Sequence, residues 1–179
     1  MNALLVYESI YGNTRAIAEA IAEGLGGEVT VLPVHVAAQQ PGPVDLLVVG
    51  GPTHMHGLAT DRSRLVAADG AREDGAHVEP GATGQPGLRS WLRDLPDSPG
   101  LHAATFDTRL DRSPWMTGTA ARGIARRLRR HGIEVLASES FLVQAAEGPL
   151  EPGELDRARS WGETLAQRAA VGSRGAVNA

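Results

Sequence analysis

Two residue types that carry much of enzyme chemistry are missing from this 179-residue chain: it has no cysteine, and all 17 of its basic residues are arginine, so it has no lysine. Without cysteine there are no disulfides, thiol nucleophiles, iron–sulfur clusters or thiolate zinc sites. Without lysine there is no Schiff-base chemistry and no phosphate-loop lysine of the P-loop nucleotidases. A phospho-receiver domain, which needs a lysine beside an acidic cluster, is excluded as well. No apolar run approaches the roughly 20 residues that a membrane-spanning helix needs. Met1 leads straight into a strand-like run with no charged leader, so a cytoplasmic location is expected. A net charge of −4 and a pI near 5.8 argue against nucleic acid or a membrane surface as partner, because both require a strong cationic field. What remains is chemistry carried by a bound cofactor, or by His, Asp, Glu and Ser, in one domain with a sizeable core. The exclusive use of arginine reads as a composition bias, so the number of arginines says little about function.

The first residues are the most informative. Residues 3–7 form an unbroken apolar run, as expected of a strand buried on both faces of a parallel sheet. Residues 14–25 place Ile17, Ala18, Ile21 and Leu25 on one stripe and Glu19 and Glu23 on the other, the pattern of an amphipathic helix. Between them lie Ser9, Gly12 and Thr14. Gly12 permits a backbone angle that a side chain would forbid. The first N–H groups of a helix have no intrahelical partner and carry the positive end of the helix dipole, so this turn is a cradle for a phosphate that needs no lysine.

Further strands are expected at 28–34, 44–50, 101–107 and 133–143, the last in two pieces around 138–140. Helices are expected over 118–131, with Ala121, Ile124, Ala125 and Leu128 inward and Gly132 as terminator. A final helix from about 152 to 170 has Leu155, Ala158, Gly162, Leu165 and Ala169 inward. Residues 36–43 leave room for a degenerate second helix. Strands alternating with helices imply right-handed βαβ units, an open parallel sheet with helices on both faces, and a ligand site beyond the carboxyl ends of the strands. The loops at 8–14, 51–58 and 108–118 are therefore the ones to watch. Residues 59–100 are rich in Gly and Pro; only 88–95 read as firmly helical, with a short helix around 63–68 left open. The stretch 59–87 reads as a mobile surface excursion, or alternatively as a lid or oligomer contact beside those loops.

Three segments together resemble the flavodoxin-like family. Y-E-S-I-Y-G-N-T at 7–14 is similar to the FMN-phosphate loop in the form shared by flavodiiron and related flavodoxin modules. D-L-L-V-V-G-G-P-T-H-M-H-G at 45–57 is similar to the third strand and ring-contacting loop, and E-G-P-L-E-P-G-E-L-D-R-A-R-S-W-G at 147–162 to the lead-in and start of the final helix. Order and spacing agree over nearly the whole chain apart from the insertion at 59–87. The resemblance implies an α/β, three-layer, doubly wound five-stranded parallel sheet of strand order 2-1-3-4-5, binding FMN at its carboxyl edge. Carried over position by position, Ser9, Ile10, Tyr11, Gly12, Asn13 and Thr14 would hold the phosphate. Pro52, Thr53, His54, Met55, His56 and Gly57 would line one side of the ring, with His56-Gly57 the peptide able to turn over on reduction. Asp107, Thr108, Arg109, Trp115 and Gly118 would lie on the other side, Trp115 being the aromatic available to stack. The chain also departs from the family: electron-carrier flavodoxins sandwich the ring between aromatics, and the loop at 52–57 has none. The polar loop at 108–114 differs from the short acidic loop of many carriers.

The resemblance implies an FMN-binding electron-transfer protein served by a redox partner protein. The alternatives are an NAD(P)H-dependent quinone reductase, in which the insertion and a neighbouring subunit of a homo-oligomer complete a substrate pocket, and a non-redox interaction protein. Whether the chain is an enzyme stays open, and no catalytic residue is assigned. His54 and His56 alone do not make a zinc site, since His35, His77, His102 and His131 are scattered. Trp91 and Trp161 read as packing residues. Arg126, Arg127, Arg129 and Arg130, with Arg122 a turn earlier, read as a solvated face at a helix C-terminus, or as a docking patch for an acidic redox partner or a pyridine-nucleotide phosphate.

Overall fold

β1 (Asn2–Tyr7) is buried from Ala3 to Tyr7, as its apolar run requires, and pairs in parallel with β2 (Glu28–Pro33) on one side and β3 (Leu46–His54) on the other. β3 pairs with β5 (His102–Leu110), and β5 with β6 (Glu134–Val143), giving the parallel order β2-β1-β3-β5-β6. Counted as five parallel strands, this is the expected 2-1-3-4-5 arrangement. A short strand, β4 (Gly57–Leu58), turns back antiparallel on β3. The computed structural model describes residues 1–37, 42–54, 57–112 and 118–176.

Side chains alternate across a strand, so each face of the sheet has its own core. Leu5, Val48, Phe106 and Phe141 face α1 (Asn13–Leu25) and α5 (Glu154–Ala176), whose Ile17, Ile21, Ala158 and Leu165 are fully buried. Val6, Leu47 and Val49 face α3 (Leu88–Arg93) and α4 (Ala120–Arg130), through Leu88, Trp91, Ile124 and Leu128. Each such side chain contributes about 1.5–3 kcal/mol on burial. Trp161 stacks edge-on against Phe141, so both helical tryptophans pack into the core layers. α1 and α5 approach so closely that a Cβ at Gly24 would overlap the Arg159 carbonyl, and one at Gly162 the Ile21 carbonyl.

Four elements differ from the sequence reading. β3 runs through Pro52 to His54 because Gly51 and Pro52 stay in register with Asp107 and Thr108, so the expected loop begins as strand and closes as a hairpin. β6 is one strand, not two; a register shift opposite Ala103 and Ala104 absorbs its irregularity, and Ser138 shares a hydroxyl hydrogen bond with Thr105 at 2.7 Å. Leu155 is exposed, because the first turn of α5 buries Glu154 instead: its carboxylate accepts from the Leu142 N–H at 2.8 Å and pairs with Arg157 at 2.6 Å. The insertion carries a full helix, α2 (Asp61–Glu73), opened by a reciprocal Thr60–Ser63 capping box. The second helix expected within 36–43 falls largely on residues 38–41, which lie outside the described residues.

No helix of the described chain is long and apolar enough to cross a membrane.

Candidate functional site

Where β1 ends, the chain turns through Glu8 to Gly12 and enters α1. Gly12, at φ 96, occupies the left-handed region at the N-cap, and its N–H donates to Ser9 Oγ at 3.1 Å. α1 has neither a side-chain cap nor an acidic residue in its first turn; the Glu79 carboxylate, paired with Arg15, approaches Gly12 at the N-cap and answers part of the dipole from that side. Two neighbours fix the rest of the turn. Thr14 Oγ1 and Thr108 Oγ1 share a buried hydrogen bond of 2.7 Å, and Asn13 Nδ2 donates to the Glu147 carbonyl at 3.1 Å. The first motif is thereby tied to the ends of β5 and of the segment leading into α5.

These contacts enclose a cavity of about 200 Å³ beyond the carboxyl edge of the sheet, lined by Ser9, Ile10, Tyr11, Asn13, Thr14, Pro52, Thr53, His54, Thr108 and Arg109, together with Leu110, Val143 and Ala146. None of the lining residues is a carboxylate. Arg109 bonds the Leu110 and Arg112 carbonyls through Nη1, at 3.1 and 2.6 Å, while its buried Nε has no partner among the described residues. Burial, and secondarily the charge of Glu147, raises the Tyr11 hydroxyl above its ordinary range; it stays a proton donor, to the Ala67 carbonyl at 3.1 Å.

Ten of the expected site residues thus meet around one cavity. Gly12 shapes the turn without lining it, Gly57 belongs to β4, and Gly118, at φ 67, leads into α4. Asp107 is fully buried behind the wall: its Oδ2 accepts from Thr53 Oγ1 at 2.8 Å and from the Ala121 N–H at 2.9 Å, while Thr53 Oγ1 accepts from the Ala120 N–H at 2.8 Å. Asp107 therefore anchors the start of α4 and the ring-side hairpin. Met55, His56 and Trp115, and with them the His56-Gly57 peptide, lie outside the described residues. Sequence reasoning missed Leu110, Val143 and Ala146; strands running to 110 and 143 were the available signal.

The insertion braces the same turn from behind. The Glu79 N–H donates to the Ile10 carbonyl at 2.8 Å, and Arg15 pairs with Glu79 at 3.2 Å. Arg64, 2% exposed, bonds the Ala82 and Gln85 carbonyls and lies 3.7 Å from Glu8, which is 3% exposed and accepts from the Leu88 N–H at 2.8 Å. Burial raises Glu8 above the usual carboxylate range, opposed by the Leu88 N–H and by the charge of Arg64. A second cavity of about 230 Å³ lies on this side, with Glu8, Glu79, Arg15, Arg64 and His35 in its walls.

Residues 4–74 match the model of the Flavodoxin domain family. The chain is similar in structure to oxidised flavodoxin 1 from Bacillus cereus, at 16% identity and a TM-score of 0.62, covering 93% of this chain and 98% of that one. A flavodoxin from Streptococcus pneumonia TIGR4 superposes at 18% identity and TM-score 0.61 over 94% and 99% of the two chains. A diflavin flavoprotein from Nostoc sp. does so at 16% identity and TM-score 0.52 over 97% of each. No curated protein sequence matches the chain. The chain is flavodoxin-like, by its fold over more than nine-tenths of its length and by the Flavodoxin domain match over residues 4–74.

Proposed function

We propose that the chain binds FMN at the cavity beyond β1, β3 and β5 and serves as a flavodoxin-like electron-transfer protein. The observation that carries this reading is the uncapped N-terminus of α1 opening on a cavity without carboxylates. Donors of that kind hold a charged acceptor roughly twice as strongly as a neutral one. Ser9, Asn13, Thr14 and the N–H groups around Gly12 would hold the phosphate. Pro52, Thr53 and His54 would flank the ring on one side, and Thr108 and Arg109 on the other.

Bound FMN would supply the one- and two-electron redox chemistry, and the protein its position and electrostatic surroundings. Arg109 would bring a cation to the ring side of the cavity. The Thr53–Asp107 hydrogen bond holds the ring-side hairpin against the start of α4, so the walls are set before any ligand arrives. Tyr11, anchored through its hydroxyl on Ala67, closes the cavity toward α2 and limits water entry. The described contacts of the insertion with the phosphate turn, Glu79 to Ile10 and Arg64 to Glu8, are bracing contacts, which supports the carrier reading over the reductase alternative.

The test is a visible spectrum of the purified protein after incubation with FMN and removal of free dye, followed by anaerobic NADH and NADPH. Retained flavin that neither nucleotide bleaches is the expected result. Bleaching would transfer the assignment to an NAD(P)H-dependent reductase, and no retained flavin would contradict the proposal. Combining Ser9→Ala with Thr14→Val should weaken FMN binding at least about tenfold with the fold intact, since two hydrogen bonds to a charged group are removed.

A further inference from the structure

α4 has an uneven charge distribution that no carboxylate among the described residues answers. Its buried side is Ala120, Ala121, Ile124, Ala125 and Leu128, and its exposed side is Arg122, Arg126, Arg129 and Arg130. Arg127 lies half-buried beside them and, among the described residues, donates to its own helix, at Gly123 O, 3.0 Å. Burial first, then the charges of Arg89, Arg126 and Arg130, lower its proton affinity, so the guanidinium groups are close enough to repel one another. The helix contains no Asp or Glu. Among the described residues none of these five arginines forms an ion pair, whereas Arg15, Arg64, Arg72, Arg93, Arg157 and Arg159 each have a carboxylate partner. The nearby Asp94 and Asp97 are engaged with Arg93 and His131. The helix dipole favours cations over the last turn only and leaves Arg122, in the first turn, unfavourably placed. The argument thus rests on where the arginines sit and not on how many the chain has.

We infer that the exposed face of α4 docks an acidic protein surface. The groups project from a convex helix and do not converge on a concavity, which disfavours a small phosphate ligand. The chain as a whole carries −4, so a long polyanion such as nucleic acid would be repelled beyond this one face, whereas a compact acidic patch on a partner would not. The face also begins at the site. The Ala120 N–H donates to Thr53 Oγ1, and Thr53 lines the cavity; Arg130 lies ten residues further along, about 15 Å along the helix axis. A partner seated on α4 is therefore within one short helix of the cavity. The inference depends on surface charge and stands whichever cofactor the cavity holds.

A short acidic peptide, fluorescein-labelled hexa-L-glutamate, followed by anisotropy at low salt, is the direct probe. Wild type should bind it, with affinity falling as sodium chloride is raised to about 0.15 M, where charges interact over only about 8 Å. Arg126→Glu with Arg130→Glu should weaken binding at least about tenfold, and Arg126→Gln with Arg130→Gln by an intermediate factor. Arg62→Glu with Arg72→Glu on α2, an equal change in net charge, should have less than about a twofold effect. Equal losses in the two glutamate pairs, or no binding by wild type, would overturn the inference. Displacement of the probe by micromolar 2′,5′-ADP would assign the face to a phosphorylated nucleotide and overturn it too. Circular dichroism checks the fold of each variant, and FMN titration of the same samples reads the cofactor site separately.

Discussion

The turn at residues 8–14 has two sides, and they are chemically opposite. In front lies a cavity walled by hydroxyl-bearing and apolar residues and one arginine, with no carboxylate. Behind it lies a cavity of similar size whose walls include the buried carboxylates of Glu8 and Glu79, balanced by Arg64 and Arg15. Both are made by the same short turn. A dianionic phosphate would meet free donors in front and like charges behind, so the distribution of carboxylates, and not the shape of the turn alone, decides which side can hold it. The buried charges behind act as a brace: Glu8 receives the Leu88 N–H, and Arg64 gathers the carbonyls of the insertion.

The largest expected effect comes from breaking the brace. Arg64→Met leaves Glu8 buried without its cation, and removing one partner of a buried pair costs about 3–5 kcal/mol. Urea unfolding should show the loss, and a change below about 1 kcal/mol would mean that the pair does not hold the insertion. Next is a carboxylate moved to the front. Ser9→Asp should weaken FMN binding by about 100-fold or more, because a unit charge a few ångströms from the phosphate costs several kcal/mol even at an effective dielectric constant of 20. Glu79→Gln, behind the turn, should act in the opposite direction and tighten FMN by about threefold. If both variants weakened FMN alike, the two sides would not differ as described. Arg109→Leu removes the one cation in the front wall and should lower affinity about tenfold.

The smallest effect concerns pH. Burial holds Glu8 above its ordinary value of 4.5, so the folded chain keeps this proton where the unfolded chain has lost it. The stabilising contribution of the protonated form is complete below that ordinary value and is lost as pH rises through the raised one. Glu8→Gln should flatten the fall in stability across that window, as read by thermal unfolding at a series of pH values. An unchanged pH profile would show that Glu8 is not perturbed.

Much of this arrangement is legible in the residues, for local reasons. The run at 3–7, the stripe Ile17-Ala18-Ile21-Leu25 and the Gly12 turn are short-range patterns, and all three are where the periodicity puts them. Strand lengths are harder, because they depend on partners: Pro52 stays in strand only because Thr108 lies opposite. Leu155 follows the right period yet faces outward, since Glu154 has a backbone N–H to reach on the edge strand. The insertion was least legible. Its glycines and prolines suggest a surface excursion, but the contacts that seat it join Arg64 to Glu8 and Glu79 to Ile10, more than fifty residues apart, and no local pattern encodes them.

The central claim is that the front of this turn holds a phosphate, and the most direct measurement compares two ligands that differ only there. Calorimetric titration of the wild-type protein with FMN and with riboflavin should show FMN bound at least about 100-fold more tightly, with the advantage shrinking in Ser9→Asp. Equal affinities for the two would contradict the account, because the ring would then be held without any contribution from the turn.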